Sequence, residues 1–226
     1  MLIAFDYDDT LADWRAAFAK WMLEQGNIAA KRISRSADYD MADVWPQVRR
    51  EEMRELIRRF SISEAFSAIP LFRGAKAVPR KLIDHGIRSA AITAPGTDPR
   101  IADARRVQLE RLGLISHEIL PQGAGKIESM RRMGCDVLVD DSPKVLREAI
   151  DAGIPVVVRD RLHNRHIDAP RIFDWTKDIE VLVKVAEDLR KKRRRVGRKP
   201  NSSIVPPTGI VMPTRTTVIP ALVAAS

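Results

Sequence analysis

The sequence predicts an α/β protein built on a doubly wound parallel sheet, with a helical cap inserted after the first strand. Three observations predict it. Short apolar runs of strand length alternate with amphipathic segments across tight turns, the pattern of strand-helix-strand units. Three of those runs end in polar residues, at Asp6, Thr93 and Asp140, and parallel strands present such ends along the one edge where open α/β sheets bind ligands. Between Thr10 and Gly74 lie 63 residues with helical signals and no convincing strand pair.

The first strand is Leu2-Ile3-Ala4-Phe5, an apolar run that suits burial on both faces. It empties into Asp6-Tyr7-Asp8-Asp9-Thr10. An extended chain turns Asp6 and Asp8 to one side, so their charges repel unless a cation or a proton intervenes. The same loop suits a helix cap, with Asp9 or Thr10 as the capping residue. Leu11 to Glu24 reads as a helix with Leu11, Trp14, Phe18, Trp21 and Met22 on one stripe and Gly26 beyond its end. Trp14, one turn past the acids, is placed to present its ring to them. Lys31 to Val44 is polar and irregular, and Pro46 to Phe60 reads as a charged helix. Phe60, Phe66 and Phe72 recur every six residues, which fits no single helix face; they either line a pocket or pack cap against core.

From Gly74 the alternation is regular. Ala75 to His85 is expected to be helical, with Val78, Leu82 and Ile83 inward, and Arg88 to Thr93 forms the second strand before the Ala94-Pro95-Gly96 turn. Asp98 to Leu112 is a helix stopped by Gly113, Glu118 to Leu120 a short strand, and Lys126 opens a helix running to Met133. Asp136 to Val139 is a strong strand followed by Asp140-Asp141-Ser142-Pro143. Pro143 starts a helix with Val145, Leu146, Ala149 and Ile150 inward, and Ile154 to Val158 is the last core strand. Val181 to Leu189 completes a terminal helix. The expected division is a core of residues 1–10 and 74–189, a cap of residues 11–73 and a basic tail of residues 190–226.

Charge belongs to the tail rather than the body. Of 39 Lys and Arg residues, nine lie in 190–226, where there is no acid; the other 30 are matched by 30 Asp and Glu. The run RKKRRRVGRK either solubilises a loose end or attracts a nucleic-acid or other anionic partner. Residues 200–226, rich in Pro, Ser, Thr and small apolar residues, are expected to be disordered. A single cysteine, Cys135, excludes an intramolecular disulfide, and no apolar run reaches the ~20 residues of a membrane span. With no basic-plus-apolar leader before the first strand, a cytoplasmic, reduced setting is expected.

Acid cluster, hydroxyl, lysine and acid pair, in that order, resemble the four motifs of the haloacid-dehalogenase-like phosphotransferases, whose sheet is Rossmann-like. The resemblance implies Asp6 as nucleophile, Asp8 as acid/base and Thr10 as a residue shaping the loop. It also implies Thr93 and Lys126 on the phosphoryl oxygens. Mg²⁺ would be held by Asp6, by the backbone carbonyl of Asp8 and by one of Asp140 and Asp141, with Asp141 favoured as ligand and Asp140 as support. Within that family the second acid, Asp8, separates phosphatases from dehalogenases.

Leu11-Ala12-Asp13-Trp14, Thr93-Ala94-Pro95, Val139-Asp140-Asp141 and His163-Asn164-Arg165-His166, followed by Pro170, Arg171 and Trp175, are similar to the 5′(3′)-deoxyribonucleotidases of the cytosolic and mitochondrial type. That likeness implies hydrolysis of (deoxy)nucleoside monophosphates. Trp14, Phe60 and Phe66 would lie against the base, and Thr93, Ala94 and Lys126 would contact substrate. Asp9-Thr10 departs from that family's Gly-Val, and Ala94 from its serine. The two histidines, three apart with no cysteine nearby, make a poor zinc site and are expected to organise their loop. A homodimer is a further expectation. The rival readings are a polynucleotide 3′-phosphatase recruited by the tail and a nucleic-acid-binding module on an idle phosphatase fold; the intact set Asp6, Asp8, Thr93, Lys126 and Asp141 argues against the latter.

Overall fold

A computed structural model describes residues 1–27 and 38–195. Six parallel strands form one sheet in the order β3-β2-β1-β4-β5-β6. They are β1 (Leu2–Phe5), β2 (Arg88–Thr93), β3 (Ser116–Ile119), β4 (Val137–Asp140), β5 (Val156–Arg159) and β6 (Arg171–Ile172). The helices are α1 (Trp14–Glu24), α2 (Met41–Val44), α3 (Arg50–Ser61), α4 (Glu64–Ser67), α5 (Val78–Ile83), α6 (Pro99–Glu110), α7 (Ile127–Met133), α8 (Pro143–Asp151) and α9 (Ile179–Arg195).

The sheet is covered on both faces, which is why its central strands read as continuous apolar runs rather than alternating ones. Ile3, Phe5, Ala91, Val137, Val139 and Val157 join one core with residues of α1, α3, α5, α6 and α9. Ala4, Ile92, Leu138, Val156 and Val158 join a second with residues of α7 and α8. Fully burying one such branched side chain contributes about 1.5–3 kcal/mol.

Segment ends sharpen under capping. α1 starts at Trp14 because the Asp13 carboxylate accepts from the Ala16 amide. α6 starts at Pro99 because Asp98 does the same for Arg100. Residues 75–77 wind as a 3-10 turn before α5, whose Pro79 sits in the first turn where its missing N–H costs nothing. Three expectations change. Ile83 and Ile150, expected inward, are exposed, each lying at the solvent edge of its helix. A sixth strand, β6, follows the strand expected to be last; two residues pairing at a sheet edge are too few to leave a period-2 signal. The terminal helix does not stop at Leu189 but runs to Arg195, because Arg190 donates to the His85 and Gly86 carbonyls and Arg193 pairs with Asp136. The remainder of the tail, residues 196–226, and residues 28–37, which take in the first part of the stretch expected to be irregular, lie outside the described residues; Met41–Val44 within that stretch is helical.

The segment between Thr10 and Gly74 is, among its described residues, helical. Its two ends meet: Asp13 N–H donates to the Pro70 carbonyl and Phe72 N–H to that of Leu11, each at 2.9 Å. Gly74, where the chain rejoins the sheet, has φ +87°, and a Cβ there would come within 2.8 Å of Thr176. Only glycine suits both demands.

Candidate active site

The ends of β1, β2 and β4 converge as the sequence predicts, and Lys126 reaches them from the start of α7. Its Nζ donates to Asp6 Oδ1 at 2.5 Å and to Asp140 Oδ2 at 2.7 Å, joining residues 120 and 14 positions away. All three side chains are buried. Burial alone would lower the lysine pKa; the facing carboxylates of Asp140 and Asp6 outweigh it and raise it, which favours the ammonium form. The other oxygen of Asp140 accepts the Ser142 amide at 2.8 Å, which leaves that carboxylate fully engaged.

Asp141 faces the same point from the next position. Oxygen atoms of Asp6, Asp140 and Asp141 lie within 4.8 Å of one another. Burial first, then mutual repulsion with Asp6, pushes the Asp140 and Asp141 carboxyls well above the usual range, with Lys126 pulling the other way. Three buried acids against one ammonium leave negative charge to be met, and an all-oxygen donor set is what a hard divalent cation takes. Mg²⁺ fits these residues.

Above this floor opens a cavity of about 470 Å³. Asp8, Asp9, Thr93, Ala94 and Pro95 line it from the strand ends and Gln122 to Lys126 from the loop before α7; Trp14, Arg15, Tyr39, Met41, Ile57 and Phe66 line it from the helical segment. The Thr93 hydroxyl is buried with no hydrogen-bond partner among the described residues, so a donor waits at the rim of the acidic floor. Leaving such a group unpaired costs about 1–3 kcal/mol, which an incoming oxyanion would recover.

No protein-family model and no curated protein matches the sequence. Solved structures do. A HAD family hydrolase from Deinococcus radiodurans R1, with bound phosphate and sodium, matches at 17% identity over 82% of this chain and 95% of its own, with a TM-score of 0.54. A phosphonoacetaldehyde hydrolase like protein from Oleispira antarctica matches at 17% identity over 88% and 95%, with a TM-score of 0.52. A putative haloacid dehalogenase-like hydrolase from Bacteroides fragilis matches at 16% over 76% and 95%, also at 0.52. The fold is haloacid-dehalogenase-like.

On that fold the expected residues divide. Asp6, Asp8, Thr93, Ala94, Lys126, Asp140 and Asp141 all border the one cavity, as do Trp14 and Phe66. Phe60 does not: it is fully buried, with Trp14, Phe18, Trp21 and Phe66 rings at 5.3–5.9 Å around it. Its place on the inner stripe of α3 makes it support for the aromatic wall rather than part of its surface. Thr10 is also buried, its hydroxyl donating to Asp141 Oδ1 at 3.3 Å, and Asp9 takes φ +53°, a left-handed turn that Asp tolerates better than most side chains. Arg15 N–H caps the Asp9 carboxylate at 3.0 Å.

The His163-Asn164 pair organises more than its own loop. Asn164 Nδ2 donates to the backbone carbonyls of Asp141 and Arg159, both at 2.8 Å, and His163 Nε2 meets an Asp141 carboxylate oxygen at 3.1 Å. Burial drops the His163 pKa to about 4, so the ring is neutral where it faces Asp141. Among the described residues neither histidine belongs to a group of potential metal ligands.

Sequence reasoning missed Arg105, Arg161 and Tyr39. Arg161 Nη2 donates to the Asp9 carbonyl at 2.6 Å, and the Tyr39 ring stands edge-on to His163 at 5.1 Å. Arg105 left the clearest signal, since it shares the inward stripe of α6 with Ile101 and Leu109. A cation on an apolar stripe announces a buried anion.

Proposed function

We propose that the protein is a phosphatase that releases phosphate from nucleoside monophosphates, deoxy forms foremost, through an aspartyl phosphate on Asp6. One observation carries the reading: a buried ammonium bridges Asp6 and Asp140 at the floor of a cavity walled by Trp14 and Phe66. The haloacid-dehalogenase-like fold supports hydrolase chemistry, and the Deinococcus neighbour carries bound phosphate and sodium.

A phosphate monoester is doubly negative near neutral pH, so Asp6 can approach phosphorus only when charge is compensated. Lys126 supplies one positive charge and Thr93 a hydroxyl donor. A Mg²⁺ ion held by Asp6 and Asp141, with the Asp8 carbonyl, would supply the remaining compensation as a Lewis acid. Asp6 Oδ then forms a bond to phosphorus as the ester P–O bond breaks, and protonated Asp8 gives its proton to the departing alkoxide. In the second half Asp8 takes a proton from water, whose oxygen displaces Asp6 and frees phosphate. Burial, opposed by Arg105, pushes the Asp8 carboxyl up to about 6, within reach of both roles near neutrality.

Residues 11–73 act here as a cap that brings the aromatic wall over the floor. Aromatic lining by Trp14 and Phe66 suits a base, which stacks. The test is phosphate release with Mg²⁺ across nucleoside monophosphates, sugar phosphates and 3′-phosphorylated oligonucleotides, with Asp6→Asn as control. Deoxynucleotides should lead and the control should be inactive. Sugar phosphates leading would replace the nucleotide assignment, and an active control would remove Asp6 as nucleophile.

A further inference from the structure

Arg105 lies outside the four motifs and yet touches one of their acids. It is wholly inaccessible to solvent, while the Asp8 side chain it holds is 27% exposed toward the cavity. A single nitrogen, Nη2, donates to both Asp8 oxygens, at 2.6 and 2.7 Å. The guanidinium is clasped between rings, 4.0 Å from the centre of Tyr7 and 4.9 Å from that of Phe66. Its Nε and Nη1 have no hydrogen-bond partner among the described residues.

A buried arginine placed for stability alone would have its donors satisfied, because each unpaired one forfeits its hydration. Here two of the three guanidinium nitrogens find no partner among the described residues and the third is spent on Asp8. The effect on Asp8 is geometric. Asp6, Asp140 and Asp141 crowd together, but Asp8 is absent from that group, its carboxylate drawn off toward α6. An acid pulled onto a bound cation becomes a ligand and loses its use as a proton carrier; Arg105 withholds Asp8 from that fate. The clasp also reaches the helical segment. Gln108, one turn along α6, donates to the Phe66 carbonyl at 2.5 Å, so the residue whose ring covers the guanidinium is itself pinned to α6.

We propose that Arg105 is the positioning residue for Asp8, holding its carboxylate beside the leaving group and off the cation-binding acids, with Phe66 as the covering ring that ties this placement to the cavity wall. The inference rests on the phosphatase reading. It concerns proton delivery, in which the Asp8 O–H bond breaks and a new O–H bond forms on the alkoxide as the ester P–O bond cleaves. Substrates that need no proton on departure should therefore feel the loss of Arg105 least.

The experiment compares kcat/KM for a nucleoside monophosphate, whose leaving group is an alkoxide, with that for p-nitrophenyl phosphate, whose leaving group departs unprotonated. Arg105→Met should lose about 10²-fold on the nucleotide and less than about fivefold on the aryl ester, since general acid catalysis is worth on the order of 10²–10⁴-fold. The aryl ester should show a burst of p-nitrophenol, because breakdown of the aspartyl phosphate still needs Asp8 as base. On an Asp8→Asn background, adding Arg105→Met should cost under twofold. Arg105→Lys keeps a charge beside Asp8 and should show the same skew at smaller size; it carries the comparison if the methionine variant fails to fold. Equal losses on both esters, or an added loss on the Asp8→Asn background, overturn the proposal alone. Failure of the unaltered protein to hydrolyse either ester removes the phosphatase reading and this inference with it.

Discussion

The floor and the wall of the cavity are built by opposite means. The floor joins Asp6, Lys126 and Asp140 through charge-assisted bonds between residues as far as 120 positions apart, with Asp141 beside them, each set at the tip of a strand or the start of a helix. The wall is held differently: Trp14 and Phe66 line it, and ring contacts with Phe18, Trp21 and Phe60 behind them fix their places. On the proposed function, chemistry sits where the rigid sheet fixes distances, and selectivity sits where neighbouring side chains can be exchanged without moving the floor. Changes in the floor should act on kcat, and changes in the wall on KM.

The sharpest way to break that division is Asp6→Asn, expected to lower kcat at least about 10³-fold by removing the nucleophile while leaving the melting temperature near that of the unaltered protein. Retained turnover would end the claim for the floor. Lys126→Met should cost about 10²–10³-fold in kcat through loss of oxyanion compensation. Trp14→Ala should raise KM about tenfold for nucleoside monophosphates, the equivalent of ~1.4 kcal/mol of lost base stacking, with kcat within twofold. A fall in kcat alone would mean that the wall shapes the floor after all.

A subtler prediction separates the two regions by pH. Burial raises the carboxyls of Asp8 and Asp9 to about 6, and those of Asp140 and Asp141 also lie above their ordinary range. Because the folded state holds these protons more tightly than the unfolded chain, stability is greatest at low pH within the window from about 4 to 7 and is lost as pH rises through it, by about 1.4 kcal/mol per pH unit for each extra proton held. Melts in a chelator should therefore fall in midpoint between pH 5 and pH 7.5. Added Mg²⁺ should flatten that slope, and wall variants should leave it unchanged. Least of all should follow from removing residues 196–226, which lies far from both regions along the chain: turnover of free nucleotides should stay within twofold, whereas a loss confined to oligonucleotides would favour the polynucleotide phosphatase.

Much of the floor was legible because strand periodicity and polar strand ends report on each other. Leu2–Phe5, Arg88–Thr93 and Val137–Asp140 each declare a buried strand and the group at its tip, and parallel packing leaves one edge where such tips can meet. The wall was legible only in part. Trp14 and Phe66 reach the cavity and Phe60 does not, a difference of helix rotation that six-residue spacing cannot encode. Nor did spacing reveal that His163 and Asn164 hold Asp141, since their bonds span more than 20 positions and involve backbone carbonyls that every residue carries.

The sequence by itself determined the layered α/β architecture and the acids, hydroxyl and amine of the floor, because those depend on local period and on residue type at strand ends. Tertiary structure alone decided which carboxylate each cation faces. Asp6 and Asp140 share Lys126, while Asp8, two residues from Asp6, turns to Arg105, 97 positions away. Pairing among buried charges is set by three-dimensional distance and by the desolvation each group suffers, and neither quantity is written in the order of the chain.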